Sequence, residues 1–277
     1  MYPKDLTVVI VTFKSETRIL DCLSSIDDNV NIIVVENSKN INFKKDIENR
    51  FPNLKCILTN KNLGYAAANN IGLKQVKTKY ALVLNPDTLL EKKAIQNFLN
   101  RADQRKDFWL MGPANDQMVK LKFENEDLIE VDNLKGFAIF FNLSKFNNDF
   151  FDENYFLYFE EIDLCKKVKN NNGKIYLDQS IKINHLGSQS VNNLNKLELE
   201  KNRNWHWMWS TFYYHKKHKG VFIALINIIP KLLSASIKIV IYSILFNKNK
   251  REIYFCRLSG IVNSIAGNKS WYRPSID

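Results

Sequence analysis

The chain has 277 residues, of which 45% are hydrophobic and 25% charged, and this composition excludes a disordered protein. Its four cysteines lack paired spacing, which predicts reduced thiols and no zinc site or disulfide framework. The net charge of +11 lies wholly in residues 201–277, which carry 13 basic and two acidic residues, whereas residues 1–200 carry 27 of each. We therefore expect two regions, a neutral domain of residues 1–200 and a basic region of residues 201–277. The second region favours an anionic partner, either a membrane or a nucleic acid.

The first hundred residues alternate between short, apolar, β-branched runs and helix-like segments, a pattern typical of a parallel sheet with helices on both faces. The predicted strands are residues 6–13, 31–36, 56–59 and 80–84, and the predicted helices are residues 16–26, 42–50, 65–77 and 91–104. Ligands of such sheets bind beyond the carboxyl ends of the strands. The apolar run near Met1 is too short for a signal peptide, so export is not expected.

The middle third is less regular. Its polar stretch at residues 112–132 predicts a loop with room for one hairpin. The elements predicted after it are a strand at 136–142, a helix at 159–171 that stops near Gly173, and short strands at 174–177 and 181–184.

The last third contains a long apolar run, residues 221–246, with a narrow polar stripe at Asn227, Lys231, Ser234 and Lys238. A spanning helix would hold both lysines at depth, at a cost of about 2.5–3.5 kcal/mol each. A helix lying in the membrane interface avoids that cost, and we expect this arrangement. A helix packed on the body of the protein is the alternative.

Three aromatic side chains just upstream share one helical face and predict a membrane boundary there: Trp205, Trp209 and Phe212.

Candidate chemical groups stand at the predicted strand ends. Asp87 follows a buried strand, where it can bind a divalent cation or simply close a turn or cap a helix. The small residues in 60–72 allow either close approach of a ligand or tight helix–sheet packing. His185 follows the last predicted strand. It can be a metal ligand, a hydrogen-bond donor to a diphosphate, or a structural residue.

Three carboxylates, Glu160, Glu161 and Asp163, crowd the start of the helix predicted at 159–171. Acidic residues are common in the first turn of a helix, so a solvated acidic turn is one interpretation. The aromatic stretch before them favours another, a partly apolar wall that raises a carboxyl pKa and creates a general base.

In this order, these elements resemble a family 2 glycosyltransferase of the GT-A fold, and within that family the bacterial rhamnosyltransferases of surface-polysaccharide assembly. The matching stretches are VVIVTFKS (8–15), VVENS (34–38), NKNLGYAAANNIG (60–72), YALVLNPDT (80–88), FDENYFLYFEEIDLCKKVKNNNGKIY (151–176) and INHLGSQS (183–190). The resemblance implies an α/β nucleotide-diphospho-sugar transferase domain followed by a helical, membrane-associating extension.

The resemblance also implies roles for individual residues on the donor side. Thr12, Glu36 and Asn37 would contact the base and ribose of the nucleotide. The diphosphate-sugar path would be lined by Asn62, Gly64 and Asn69, and Asn85 would also bind the donor. A divalent metal, Mg²⁺ or Mn²⁺, would bind Asp87, with His185 as a further metal or diphosphate contact.

On the acceptor side, Glu161 matches the catalytic base, with Asp163 supporting it and Glu160 orienting the acceptor. Arg203 matches a basic element that contacts diphosphate or acceptor. In Asn85, Glu36 and Glu161 the chain departs from the Asp that many relatives carry.

The implied reaction is inverting transfer of a sugar to a hydroxyl of a glycan or a polyprenyl-diphosphate-linked acceptor. The expected donor is dTDP-rhamnose or else a UDP-hexose, and the expected location is the cytoplasmic face of the cell membrane. A nucleotidyltransferase is an alternative, although the TFKS sequence at 12–15 lacks the glycine-rich loop that such an enzyme needs. A nucleic-acid-binding protein is disfavoured by the apolar run at 221–246, and a catalytically lapsed relative is a further alternative.

Overall fold

The computed structural model describes residues 3–114, 127–185 and 196–273, and it divides into two compact units. The sheet unit comprises Met1–Asp152 and Glu161–Asn192, and the helical unit comprises Glu153–Glu160 and Asn193–Asp277. Most of the loop predicted at 112–132 and the end of the INHLGSQS stretch lie outside the described residues.

Ten strands and five helices form the described part of the sheet unit. The strands are β1 (Leu6–Thr12), β2 (Asn31–Glu36), β3 (Leu54–Leu58), β4 (Tyr80–Leu84), β5 (Thr88–Leu90), β6 (Phe108–Pro113), β7 (Leu128–Glu130), β8 (Ala138–Asn142), β9 (Lys174–Asp178) and β10 (Ile183–His185). The helices are α1 (Glu16–Ser24), α2 (Ile41–Arg50), α3 (Tyr65–Leu73), α4 (Ala94–Gln104) and α5 (Glu160–Asn170), the last beginning one residue before the unit boundary.

The main sheet has the order β3-β2-β1-β4-β8-β6-β9-β7. Its first four strands are parallel, which confirms the expectation for the first hundred residues. Beyond them the sheet is mixed, because β8 runs antiparallel to both of its neighbours, β4 and β6. A second sheet pairs β5 with β10 in antiparallel register and sets His185 opposite Thr88.

Alternate residues of the central strands enter two apolar cores, one on each face. Val8 and Ile10 of β1 pack on one face in the core that includes α1, α2 and α4, whereas Val9 packs on the other with α3 and α5. Helix α3 lies close to the sheet, since a methyl group on Gly72 would come within 2.5 Å of Val9 Cγ1. The small residues of 60–72 therefore do serve tight helix–sheet packing.

Two strands were not anticipated from the sequence, β5 and β6. Strand β6 occupies residues 108–113, where the prediction has a loop beginning at residue 112. It is internal, between β8 and β9, and its FWLMGP sequence is apolar because both of its faces are covered. The hairpin that the polar stretch allows does not form between β6 and β7, since β7 pairs with β9.

The described part of the helical unit contains α6 (Lys196–Ile244) and α7 (Lys248–Ile265). The sequence predicts a helical face at residues 205–212 and a helix over 221–246, and it does not predict α7 as a separate helix. Helix α6 is interrupted at Gly220, whose φ of 82° favours glycine. Met208 and Phe212 share an apolar core with Ala224 and Ile228. A straight helix would hold residues 208 and 228 about 30 Å apart, so the chain folds back at the interruption.

The prediction of a membrane boundary at the aromatic face of α6 is wrong. Trp205, Trp209 and Phe212 are buried, because α7 and the segment after it cover this face of α6. The Trp205 indole donates to Ser259 Oγ (3.1 Å) and the Trp209 indole donates to the Asn268 carbonyl (2.9 Å).

By length and composition alone, α6 could cross a membrane. The apolar residues of α6 beyond Gly220 are mostly exposed. This part of α6 is therefore not the buried helix of the alternative prediction.

Candidate active site

Polar side chains gather where the central strands end. Thr12 ends β1 and lies in register with Glu36, which ends β2. Asn85 follows β4, the neighbour of β1 on its other side. Parallel strands bring their carboxyl ends to one edge, so the predicted donor residues share the edge at which ligands of such sheets bind.

Glu36 is buried at this edge in an unusual electrostatic state. The Ser38 hydroxyl donates to its Oε1, whereas Oε2 has no hydrogen-bond partner among the residues that the structure describes. Burial raises the pKa of Glu36 to about 7, an effect that the Ser38 hydrogen bond opposes and the nearby Glu16 carboxylate reinforces. Thr12 Oγ1 is a second buried oxygen without such a partner. Native proteins rarely leave buried polar atoms unsatisfied, so both atoms suit a polar ligand.

The side chain of Asn37 fastens the segment that leads into α3. Its Nδ2 donates to Asn62 Oδ1 (3.0 Å) and to the Gly64 carbonyl (3.3 Å), while its Oδ1 accepts from the Leu63 amide (2.9 Å). Gly64 precedes α3 with a φ of 86°, a conformation that favours glycine. The structure thus brings Asn37, Asn62 and Gly64 together and gives both amides a role in shaping the loop.

Asn69 lies one turn into α3 and is fully buried. Its Nδ2 donates to the Tyr65 carbonyl (3.0 Å), while its Oδ1 has no hydrogen-bond partner in the described part of the chain. The helix thus offers a buried acceptor near its N-terminus, which suits a hydroxyl or N–H group of a ligand.

Asp87 and His185 meet at the turn between the two sheets. Asp87 is buried between β4 and β5, and its Oδ1 lies 3.4 Å from His185 Nε2. The imidazole stacks on Phe137 with ring centroids 4.9 Å apart, and the Thr88 hydroxyl closes the turn by donating to the Asn85 carbonyl (2.7 Å). Asp87 is not a helix cap, since α4 begins only at Ala94.

This pair fits a hard divalent cation. Magnesium typically takes one or two protein carboxylates and completes its shell with substrate phosphates and water. Within the described residues no group of three or more His, Cys, Asp and Glu side chains is placed to hold a metal. A carboxylate and an imidazole in contact match that pattern.

Glu161 and Asp163 lie in the first turn of α5. Asp163 is buried, and Glu161 is half-buried. Burial raises the pKa of Glu161, while its own backbone amide and the ammonium of Lys135 oppose the shift. A methyl group on Gly136 would come 3.6 Å from Glu161 Cβ, which shows that Gly136 lies beside Glu161. A carboxyl with a raised pKa is the kind of group that accepts a proton near neutral pH.

Glu160 and Arg203 belong to the helical unit and both lie near Tyr158. Burial raises the pKa of the Tyr158 hydroxyl, the Arg203 guanidinium lowers it and the Glu160 carboxylate raises it further. The structure therefore brings these two predicted residues into one neighbourhood.

Sequence reasoning missed two residues of the sheet unit that belong to this arrangement. Ser38 binds the Glu36 carboxylate, and the Tyr65 hydroxyl donates to the Gly136 carbonyl (2.6 Å), beside Glu161. Both stand within stretches that carry the family resemblance, so their positions were available as a signal.

A mixed sheet of this order, parallel in its first four strands and antiparallel at β8, is the GT-A fold. Consistent with this, the family description Glycosyl transferase family 2 matches residues 7–164, and the chain belongs to that family.

Relatives by sequence are glycan and teichoic acid enzymes. The low-salt glycan biosynthesis hexosyltransferase Agl10 of Haloferax volcanii is 25% identical over 195 residues, 61% of this chain and 62% of that protein. The teichoic acid poly(glycerol phosphate) polymerase of Staphylococcus epidermidis is 31% identical over 104 residues, 35% of this chain and 14% of that protein. The chain thus spans less than two thirds of these relatives.

Solved structures of low identity share the fold. The mannosyltransferase PcManGT of Pyrobaculum calidifontis, in complex with GDP-Man and Mn²⁺, aligns with a TM-score of 0.57 at 12% identity, covering 97% of this chain and 89% of that one. GalNAc-T7 with UDP, GalNAc and Mn²⁺ has the same TM-score at 10% identity, covering 76% of this chain and 50% of that one.

Proposed function

We propose that this glycosyltransferase moves a hexose, with rhamnose as the first candidate, from a nucleotide-sugar to a hydroxyl of a glycan or a polyprenyl-diphosphate-linked acceptor. The observation that carries the proposal is the contact between Asp87 and His185 beyond the strands that end in Thr12 and Glu36. This arrangement offers a cation-binding pair beside unsatisfied polar atoms suited to a nucleotide.

In the proposed reaction the acceptor hydroxyl attacks the anomeric carbon from the face opposite the leaving nucleoside diphosphate. Glu161 accepts the hydroxyl proton as the new C–O bond forms, and its raised pKa suits that role. Asp163 supports Glu161, and Glu160 and Arg203 orient the acceptor. One displacement inverts the anomeric centre without a covalent enzyme intermediate.

On this proposal Asp87 and His185 hold a Mg²⁺ or Mn²⁺ ion. The ion, when bound, neutralises charge on the diphosphate leaving group as a Lewis acid. The protein's contribution is to keep one carboxylate buried and one imidazole fixed by stacking on Phe137.

The proposed location is the inner face of the cell membrane, with the second half of α6 lying in the interface. Seven apolar side chains spaced three or four residues apart expose about half or more of their surface on one stripe: Phe222, Ile226, Ile229, Leu233, Ile237, Val240 and Ile244. Lys231 and Lys238 are half-buried on the opposite side of the helix, and the Lys238 ammonium lies 5.0 Å from the Tyr254 ring centroid. An apolar face with lysines turned away suits an anionic lipid surface and no nucleic acid.

A panel of nucleotide-sugars tests the donor assignment. Thermal unfolding would be followed with dTDP-rhamnose, UDP-glucose, UDP-N-acetylglucosamine and GDP-mannose, each with Mn²⁺ or Mg²⁺. A ligand at about 100 times its Kd stabilises the fold by about 2.7 kcal/mol. We expect metal-dependent stabilisation by dTDP-rhamnose. Stabilisation by UDP-sugars alone would replace the donor, and no response to any nucleotide-sugar would overturn the proposed function.

A further inference from the structure

Trp207 differs from the other tryptophans of α6. Its side chain is 44% exposed, whereas Trp205 and Trp209 are buried and hydrogen-bonded. Around it lies an aromatic platform that we define as Tyr158, Phe159, Trp207 and Tyr214. The Trp207 ring meets the edge of Tyr158 at 5.2 Å and Phe159 at 5.3 Å, and Phe159 in turn meets Tyr214 at 5.4 Å between centroids.

Two residues of the platform have a strained backbone conformation. Tyr158 and Phe159 have φ angles of 69° and 73°, a left-handed conformation that bulky residues rarely adopt. Such strain persists only where surrounding packing enforces it, and it concentrates at functional sites. Here both strained residues pack on the ring of Trp207, directly before Glu160 in the chain.

Charged groups border the platform. Arg203 stands one helical turn before Trp207, and it and Glu160 both act electrostatically on the Tyr158 hydroxyl, as does Glu200. An exposed indole that packs on Tyr158, whose hydroxyl lies near a guanidinium and carboxylates, does not suit a lipid tail, which would leave these charges in an apolar medium. It suits a ligand with one apolar face and a rim of hydroxyl groups.

A pyranose ring is such a ligand, since its C–H bonds form an apolar face and its hydroxyls both donate and accept hydrogen bonds. We propose that Trp207 is the stacking platform for a sugar ring of the acceptor, with the half-buried Arg203 guanidinium binding its hydroxyls. This inference rests on the proposed function, because it assigns the acceptor a glycan. It places a specificity-determining residue where neither the family resemblance nor the sequence motifs had one.

Binding of simple glycosides tests the platform without any donor. Saturation-transfer NMR would use methyl α-L-rhamnopyranoside, methyl β-D-glucopyranoside and methyl N-acetyl-β-D-glucosaminide on wild type, Trp207→Ala, Trp207→Phe and Trp271→Ala. Trp271 is the matched control, since it lies in the same unit and is 55% exposed. We expect ring-proton signals from at least one glycoside that are lost in Trp207→Ala, weakened in Trp207→Phe and retained in Trp271→Ala.

Several outcomes would overturn the inference. Equal glycoside signals in wild type and Trp207→Ala would do so, and so would signals from none of the three glycosides. A third is loss of binding to vesicles of anionic phospholipid in Trp207→Ala with glycoside binding unchanged, since the indole would then face lipid. Trp207→Phe decides the matter if Trp207→Ala does not fold. Nucleotide-induced thermal stabilisation, measured alongside, separates failure of the proposed function from failure of the platform.

Discussion

The sheet unit and the helical unit expose opposite kinds of surface. Of the large apolar side chains that are exposed in the described chain, only Ile41 belongs to the sheet unit. The helical unit buries indoles and an imidazole, and it exposes a stripe of isoleucine, leucine, valine and phenylalanine instead. Burial of apolar surface away from water accounts for the sheet unit, which exposes almost no large apolar side chain. It does not account for the exposed apolar stripe of the helical unit. The comparison shows that the exposed apolar surface of the described chain lies almost wholly in the helical unit, whereas Asp87 and Glu161 lie in the unit that exposes little of it.

The largest effect is expected from a substitution of Glu161 in the sheet unit. Glu161→Gln keeps the shape of the side chain and removes the oxygen that accepts a proton. General-base catalysis contributes roughly 10²–10⁴-fold, so turnover should fall by that factor, measured as sugar transfer under saturating donor. Nucleotide binding should persist. Glu161→Asp is the control and should keep part of the activity. Normal turnover in Glu161→Gln beside an inactive Asp163→Asn would move the base to residue 163.

The metal pair is the next target within the sheet unit. Asp87→Ala should weaken metal-dependent nucleotide binding by at least the roughly 10–100-fold typical of losing a supporting partner of a metal ligand. Calorimetry with UDP or dTDP in Mn²⁺ and in EDTA measures it. His185→Ala should be milder, because the imidazole is neutral when it binds. Equal turnover in wild type with and without EDTA would show that cationic side chains neutralise the diphosphate.

A pair of substitutions on the exposed stripe tests the helical unit. Ile229→Ala with Leu233→Ala removes apolar surface that is about half exposed, which corresponds to about 2 kcal/mol or roughly 30-fold in affinity for a lipid surface. Co-sedimentation with anionic vesicles measures the change, and thermal stability should hardly move. Ile228→Ala is the matched control on the buried side, where a loss of about 2–5 kcal/mol of stability is expected instead. Unchanged sedimentation of the double variant would argue against an interfacial helix.

The dependence of stability on pH also distinguishes the two units, with a small change at each step of pH. Burial lowers the pKa of His206 in the helical unit to about 3, with Nε2 donating to the Tyr272 carbonyl (2.9 Å) and Nδ1 accepting from the Ser270 hydroxyl (2.8 Å). The contribution of neutral His206 to the free energy of unfolding is complete above pH 6.5, the ordinary pKa of histidine. It is lost as pH falls towards 3. Glu36 has the opposite sign, since its pKa is raised from 4.5 to about 7 and its contribution is lost as pH rises across that range. Each slope is at most about 1.4 kcal/mol per pH unit.

Denaturant unfolding followed by tryptophan fluorescence checks these slopes, because four of the five tryptophans lie in the helical unit. His206→Gln should flatten the acid side of the stability profile, and Glu36→Gln should flatten the neutral side. Identical profiles for Glu36→Gln and wild type would mean that Glu36 remains ionised in the folded protein.

Much of the sheet unit follows from the sequence, since period and turn residues determine local structure. The first four strands and their parallel direction were predicted, and so was the position of Thr12, Glu36 and Asp87 at the carboxyl ends of these strands. The direction of β8 was not, because an apolar run such as AIFFN carries no information on which way a strand enters a sheet. Strand β6 was missed for a related reason, since its burial depends on neighbours that are distant in sequence.

The helical unit was predicted less well because helical periodicity gives a face and not what covers it. Trp205, Trp209 and Phe212 do share a face, yet it is covered by α7, which was not predicted. Close packing there depends on Gly260, whose Cα lies so near the Trp205 carbonyl that any side chain would collide with it. A single glycine in a helix gives no hint of that contact in the sequence.

On the proposed function, the hydrogen bonds of Asn37 have a thermodynamic consequence for nucleotide binding. Fixing the backbone of one residue costs about 1–2 kcal/mol in conformational entropy, and the protein's own amides already hold the loop ahead of α3. That cost falls on folding, so association with a nucleotide need not order this loop again. Calorimetric titration of wild type should accordingly show a smaller entropy loss than titration of Asn37→Ala, in which each binding event would also have to immobilise the loop.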